Sequence, residues 1–160
     1  MHYCTICAEA TYENRWLYTM FDIIEMLKQP DSLLVDGINA NGETILTPVL
    51  GLSPAKEASC YTVVARVVRG LTYSMATRTS SDSYFVKLGG ELVAVTQLKE
   101  GATILMHPYM NALTPGVVLS ISVDQIRTMW ALEVDYKTPY YIKDGFVVPS
   151  NNILQLANMR

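Results

Sequence analysis

Leu132-Glu133-Val134, a short break, and then Tyr140-Tyr141-Ile142-Lys143-Asp144-Gly145-Phe146-Val147-Val148-Pro149-Ser150-Asn151 is the stretch on which the fold turns. Aromatic and β-branched residues lie on both sides of Asp144-Gly145, and an Asp-Gly pair supplies the positive φ angles of a two-residue hairpin turn. The stretch predicts two short strands around that turn, preceded by a strand at 132–134 and stopping at an asparagine. Upstream, residues 117–123 and 128–134 alternate well enough to be two partly solvated strands. Residues 84–88 and 91–95 flank Gly89-Gly90, a second hairpin turn, and 97–105 reads as a turn and a strand. Two more β-rich runs, 60–68 and 72–77, are separated by Arg69-Gly70-Leu71, and 32–35 leads through Asp36-Gly37 and Asn41-Gly42 to a strand at 44–46. Only residues 20–28 depart from this pattern. There Phe21, Ile24 and Leu27 recur at helical spacing behind Thr19 as N-cap, and Pro30 closes a short helix. Many short strands at this spacing predict an all-β sandwich or barrel-like fold with one short N-terminal helix.

The 160 residues are expected to form a single domain, long enough to bury a core without disulfides or metals as staples. Net charge is −3, and the 12 Lys and Arg are scattered, so no basic footprint for nucleic acid or an anionic membrane is present. No apolar run approaches the roughly 20 residues that span a bilayer, and the first residues lack the pattern of a signal peptide, which predicts an intracellular protein. The three cysteines, Cys4, Cys7 and Cys60, are an odd and sparse set, read as reduced thiols. Half the residues are hydrophobic and only 17% are charged, which predicts apolar surface covered by other protein subunits, in a homo- or hetero-oligomer. Trp130, Tyr136, Tyr140 and Tyr141 are the candidate anchors of that interface, although each taken alone also suits a core or a hairpin stack.

Three other patterns carry little chemistry. His2, Cys4, Cys7 and Cys60 are zinc-compatible ligand types, yet one C-x-x-C without a second pair does not make a metal site, and no metal or cofactor is expected. The run 37–42 has glycine at the first position of a calcium loop, with Pro48 at the twelfth, so it reads as a hairpin turn. The hydroxyl-rich run 77–83 has no neighbouring histidine and no G-x-S-x-G, so solvated strand-end hydroxyls are expected rather than a hydrolase loop.

Three segments, in order, resemble the motifs of Hint domains, the self-processing modules of inteins and hedgehog proteins, and together they cover most of residues 20–151. The early one runs from Ile23-Ile24-Glu25-Met26-Leu27-Lys28 to Leu33-Leu34, then Thr47-Pro48-Val49. The middle one runs from Thr79-Ser80-Ser81-Asp82-Ser83-Tyr84-Phe85-Val86 through Gly90-Glu91-Leu92-Val93 to Gln97-Leu98-Lys99-Glu100-Gly101, similar to T-x-D-H-P-F-x-V … G-x-W-V … E-L-K-x-G-D. The closing one is the opening stretch itself, similar to L-E-V … Y-x-x-D-G-x-x-V-H-N. The resemblance implies a compact Hint-like β fold of short strands and long hairpins, whose two ends approach one another. It also implies positions for a processing site: Cys7 as nucleophile, with Cys4 a weaker choice, Thr79 and Asp82 in the middle segment, and Asn151 as the cyclising residue. Where the family has its two histidines, this chain has Asp82 and either Pro149 or Ser150, and its only histidines are His2 and His107. Proton transfer by a placed side chain is worth about 10²–10⁴-fold. The resemblance therefore implies a degenerate site in a non-catalytic structural or adaptor module, with a self-processing domain acting through Cys7 and Asn151 as the alternative. Similar modules in phage virion and tail proteins offer a particle, in head, neck or tail, as its setting.

Overall fold

The computed structural model describes residues 5–7, 12–13, 17–18, 28, 34–52, 56–68, 74–108, 113–134 and 138–150. Thirteen strands are present among them: β1 (Thr5–Cys7), β2 (Tyr12–Glu13), β3 (Leu17–Tyr18), β4 (Leu34–Ile38), β5 (Thr44–Leu52), β6 (Lys56–Val67), β7 (Ser74–Ser80), β8 (Tyr84–Val86), β9 (Leu92–Ala94), β10 (Thr103–Met106), β11 (Thr114–Val134), β12 (Tyr140–Lys143) and β13 (Phe146–Pro149). The only helical element among the described residues is a 3₁₀ turn at Val95–Gln97. The expected all-β class holds. The helix expected at 20–28 lies outside the described residues except for Lys28, which sits in a turn.

One sheet dominates, in the order β10-β13-β12-β4-β5-β11-β6-β7, with β1 added along β11. All its pairings are antiparallel, which short hairpin connections permit. Beside it lie two small two-stranded sheets, β2-β3 and β8-β9. Because Val134 pairs with Val49, and Tyr140 pairs with Ile38, the closing strands lie against the first hairpin, as expected of the two ends of the fold.

Among the described residues the turns follow the sequence with one exception, and the turn expected at Arg69-Gly70-Leu71 lies outside them. Asp144 (φ 53°) and Gly145 (φ 84°) make the predicted two-residue turn of β12-β13. At the β4-β5 turn the Asn39 side-chain carbonyl accepts the backbone N–H groups of Asn41 (3.0 Å) and Glu43 (2.9 Å), so the run 37–42 is a turn closed by asparagine. Asp36-Gly37, read from sequence as part of that turn, instead lies inside β4. A Cβ on Gly37 would meet Thr47 Cγ2 at 3.1 Å and Thr138 Cγ2 at 2.5 Å, so this glycine serves the close approach of the chain near 138.

The runs 117–123 and 128–134 are likewise not two strands but parts of one 21-residue strand. Register shifts between Val118 and Ser120 and between Val123 and Ile126 bend β11 without ending it, and the polar residues between the runs occupy the second bulge. The main core lies beneath this sheet. Phe85 and Phe146 pack at a 60° tilt with ring centroids 5.6 Å apart, and Tyr141, Ile104, Met106 and Leu132 belong to the same buried cluster.

Candidate functional site

The last turn of β7 and the loop after it gather four side chains from the middle segment. Thr79, Ser80 and Ser83 are buried and Asp82 is half-buried, so these hydroxyls are not the solvated strand-end groups the sequence suggested. Burial has a local cause. Cys60, itself fully buried, is the register partner of Ser80, so the end of β7 is paired edge to edge with a buried stretch of β6. The Ser83 N–H then bonds the Ser80 carbonyl (3.1 Å), folding the loop back over the strand end.

The hydroxyls form a directed chain. Thr79 Oγ1 donates to Ser83 Oγ, and Ser80 Oγ donates to Asp82 Oδ1. The Ser83 and Ser80 oxygens are 3.3 Å apart. Each hydroxyl owns one proton. Those of Thr79 and Ser80 are committed, so the remaining bond runs from Ser83 to Ser80, and the series ends on the Asp82 carboxylate. An ionised carboxylate accepts but does not donate. At the middle-segment position where the resemblance places the family's histidine, this chain has the carboxyl group of Asp82.

The β12-β13 turn straps β7 immediately before that cluster. Thr77 Oγ1 donates to Asp144 Oδ2 at 2.7 Å, and the Lys143 ammonium, buried on the same strand face as Tyr141, donates to the carbonyl of Arg78. Sequence reasoning missed Lys143, Ser80 and Ser83 as members of the site. For Lys143 a signal existed, since strand alternation puts residues 141 and 143 on one face.

The N-terminal strand reaches the same neighbourhood. In β1, Cys7 pairs with Met129, and Met129 packs with Cys60 and Ala58 in a small separate core. Because Cys60 is in turn paired with Ser80, the backbone of the candidate nucleophile is two strands' packing from the hydroxyl cluster, and β1 lies against β7. Asn151, Cys4 and His2 lie outside the described residues. Ser150, the last described residue, is fully buried, and its N–H bonds the Pro139 carbonyl at 2.8 Å. Its hydroxyl has no hydrogen-bond partner among the described residues. His107 takes no part in the cluster: its ring is 3.1 Å from Thr44 Oγ1, and its N–H bonds the Gly145 carbonyl.

Of the four interface candidates, Tyr141 is a core residue, its ring buried beneath the sheet rather than presented to a partner. Trp130 is half-buried against the main core, Tyr140 is half-buried against a smaller cluster of Ile38, Val86 and Val147, and Tyr136 lies outside the described residues. Among the described residues the most exposed large apolar side chains are instead Leu46, Leu50, Val123 and Ile126, each more than 60% exposed. Leu46, Pro48 and Leu50 alternate along one face of β5, with Leu34 of β4 opposite Pro48.

Comparison with solved structures identifies this architecture as the Hint fold of inteins. The chain is similar to the Ssp DnaB mini-intein variant M86 (TM-score 0.60, 14% identity, 93% of this chain and 94% of that one). It is similar to the bacterial intein-like domain from Clostridium thermocellum (TM-score 0.60, 17% identity, 94% and 100%) and to the PabCDC21-1 intein (TM-score 0.67, 13% identity, 91% and 98%). No sequence-family profile matches the chain, and no curated protein is similar enough to match it. At these identities the likeness is one of fold. The activity of the neighbours does not come with it.

Proposed function

We propose that this chain is a Hint-fold module that has given up splicing and works as a structural or adaptor component of a larger protein assembly, with a phage particle as its setting. One observation carries the loss of chemistry: the hydroxyl chain ends on Asp82, an acceptor, where amide cleavage needs a group that orients and protonates the leaving nitrogen. Asp82, a carboxylate, stands where the resemblance gives the family a histidine for that task. The nearest described histidine in the sequence, His107, is engaged with Thr44. The assembly role is supported by the exposed leucines of β5, which form an apolar row on an outward sheet face.

The placement of β1 against β7 favours a second reading, in which Cys7 attacks the carbonyl before it and Asn151 cleaves the chain at its own C-side peptide bond. Intact mass decides between them. On the first reading, purified chain incubated for days with thiol or hydroxylamine keeps its full mass, because no thioester forms to be intercepted. A shortened species that accumulates with time and disappears in Cys7→Ala would establish the second reading instead.

A further inference from the structure

The β12-β13 turn is clasped to β7 by three successive residues, met in reverse order along the strand: Lys143 reaches the Arg78 carbonyl, Asp144 accepts from Thr77, and Gly145 faces Met75. A Cβ on Gly145 would fall 2.5 Å from Met75 Sδ and closer still to Cε, so the thioether lies directly on the glycine backbone. The same glycine is also held by the His107 N–H, which donates to its carbonyl at 2.8 Å. Strand alternation puts Met75, Thr77 and Thr79 on one face of β7. Thr77 and Thr79 are buried there, while Met75, at the head of the row, is half-buried and packs against the main core. Met106 and Met129 are fully buried, so among the described methionines only Met75 keeps exposed surface.

We propose that Met75 is a modification site and the latch of this clasp: a peroxide oxidises its thioether to the sulfoxide, and the β12-β13 turn then parts from β7. In that step the Sδ lone pair attacks one oxygen of hydrogen peroxide, and the O–O bond breaks as the S–O bond forms. The departing hydroxide takes the proton of the transferred oxygen and leaves as water. Sulfur gives up two electrons and the peroxide accepts them. The product is a polar group where the clasp had an apolar one. Its oxygen needs water or a donor, and burying it against the core without one is unfavourable. Gly145 has no side chain to move aside, so the hydrated sulfoxide is accommodated by separating the turn from the strand. The next contacts, Thr77 to Asp144 and Lys143 to Arg78, lie between the latch and the hydroxyl cluster. Opening at Met75 therefore loosens the end of β7 that carries Thr79 and Ser80. The proposal holds whether or not the chain processes itself.

The test treats the full-length chain with hydrogen peroxide and follows it by peptide mass mapping and amide exchange. Sulfoxide should appear at Met75 before Met106 or Met129. With it, exchange should quicken at least tenfold at His107, whose N–H reports the Gly145 contact, and at Ser83, whose N–H closes the cluster loop. Ser150, whose N–H bonds the Pro139 carbonyl beyond the other end of β13, should keep its rate. Met75→Leu keeps an apolar side chain of similar volume. In that variant peroxide should leave His107 and Ser83 unchanged even as other methionines oxidise. A Met75 that stays unoxidised, or is oxidised without faster exchange at His107 and Ser83, overturns the proposal. The same acceleration in treated Met75→Leu assigns the effect to another methionine and overturns it too. Acceleration shared by Ser150 marks a general loss of stability and overturns the latch.

Discussion

Ser83→Ala is the substitution whose outcome depends most directly on the hydroxyl chain. Ser83 accepts from Thr79 and donates to Ser80, and both Thr79 and Ser83 are at most 2% exposed. Removing the Ser83 oxygen leaves the Thr79 hydroxyl buried with its acceptor gone, which costs about 1–3 kcal/mol. Thr79→Val is gentler: Ser83 keeps Ser80 at 3.3 Å, so the loss is that of one ordinary bond, about 0.5–1.5 kcal/mol. In Thr79→Val with Ser83→Ala no buried donor is stranded. The double variant should therefore cost about as much as Thr79→Val alone, giving a coupling energy of about 1 kcal/mol or more. For a chain of this size each kcal/mol moves Tm by about 2–4 °C, so Ser83→Ala should lower it by several degrees and the added Thr79→Val should restore part of the loss. Denaturant titration of the wild type, both single variants and the double completes the cycle, with the slope checked for constancy. Strictly additive losses would refute the directed chain. A neutral or stabilising Ser83→Ala would do so as well, and would mark the cluster as one that costs stability, the usual sign of a site kept for chemistry.

Two further outcomes follow from packing. Gly37→Ala puts a methyl against Thr138 Cγ2 and Thr47 Cγ2, two β-branched side chains with little freedom to yield, and should cost about 1–3 kcal/mol by thermal melt, far more than an alanine in an open strand. Leu46→Glu with Leu50→Glu alters two side chains that are more than 60% exposed, so stability should move by no more than about 0.5 kcal/mol. On the assembly reading the same pair abolishes co-purification with the native partner or shifts the sedimenting species to a smaller one, whereas a wild-type chain that sediments as a monomer and captures nothing from its source leaves that role without support.

Much of this fold was legible because hairpin turns announce themselves locally. Asp144-Gly145, Gly89-Gly90 and Asn41-Gly42 each require backbone angles that few other residues accept, and each lies where the turn is found. Glycine inside a strand is ambiguous for the same reason. Gly37 reads like a turn residue, while its task is to let Thr138 approach, a contact 101 residues away along the chain that no local pattern encodes. The division of β11 into two strands failed through the bulge at 124–125, since a bulge and a loop show the same loss of alternation.

The site was legible by position and not by environment. The resemblance pointed to Thr79 and Asp82, but the cluster they form with Ser80 and Ser83 depends on β7 pairing with a buried stretch of β6, on the Ser83–Ser80 backbone bond and on the β12-β13 strap at Thr77 and Arg78. In this chain Asp144 and Lys143 belong to the closing motif, and the bonds described for them tie the β12-β13 turn to β7. Tyr141, between the same hairpin and the core, is buried for packing. At the first position where the resemblance places a histidine, Asp82 accepts from Ser80; at the second, which falls on Pro149 or Ser150, Pro149 ends β13 and the buried Ser150 gives its N–H to the Pro139 carbonyl, so both positions take part in holding the loops they lie in.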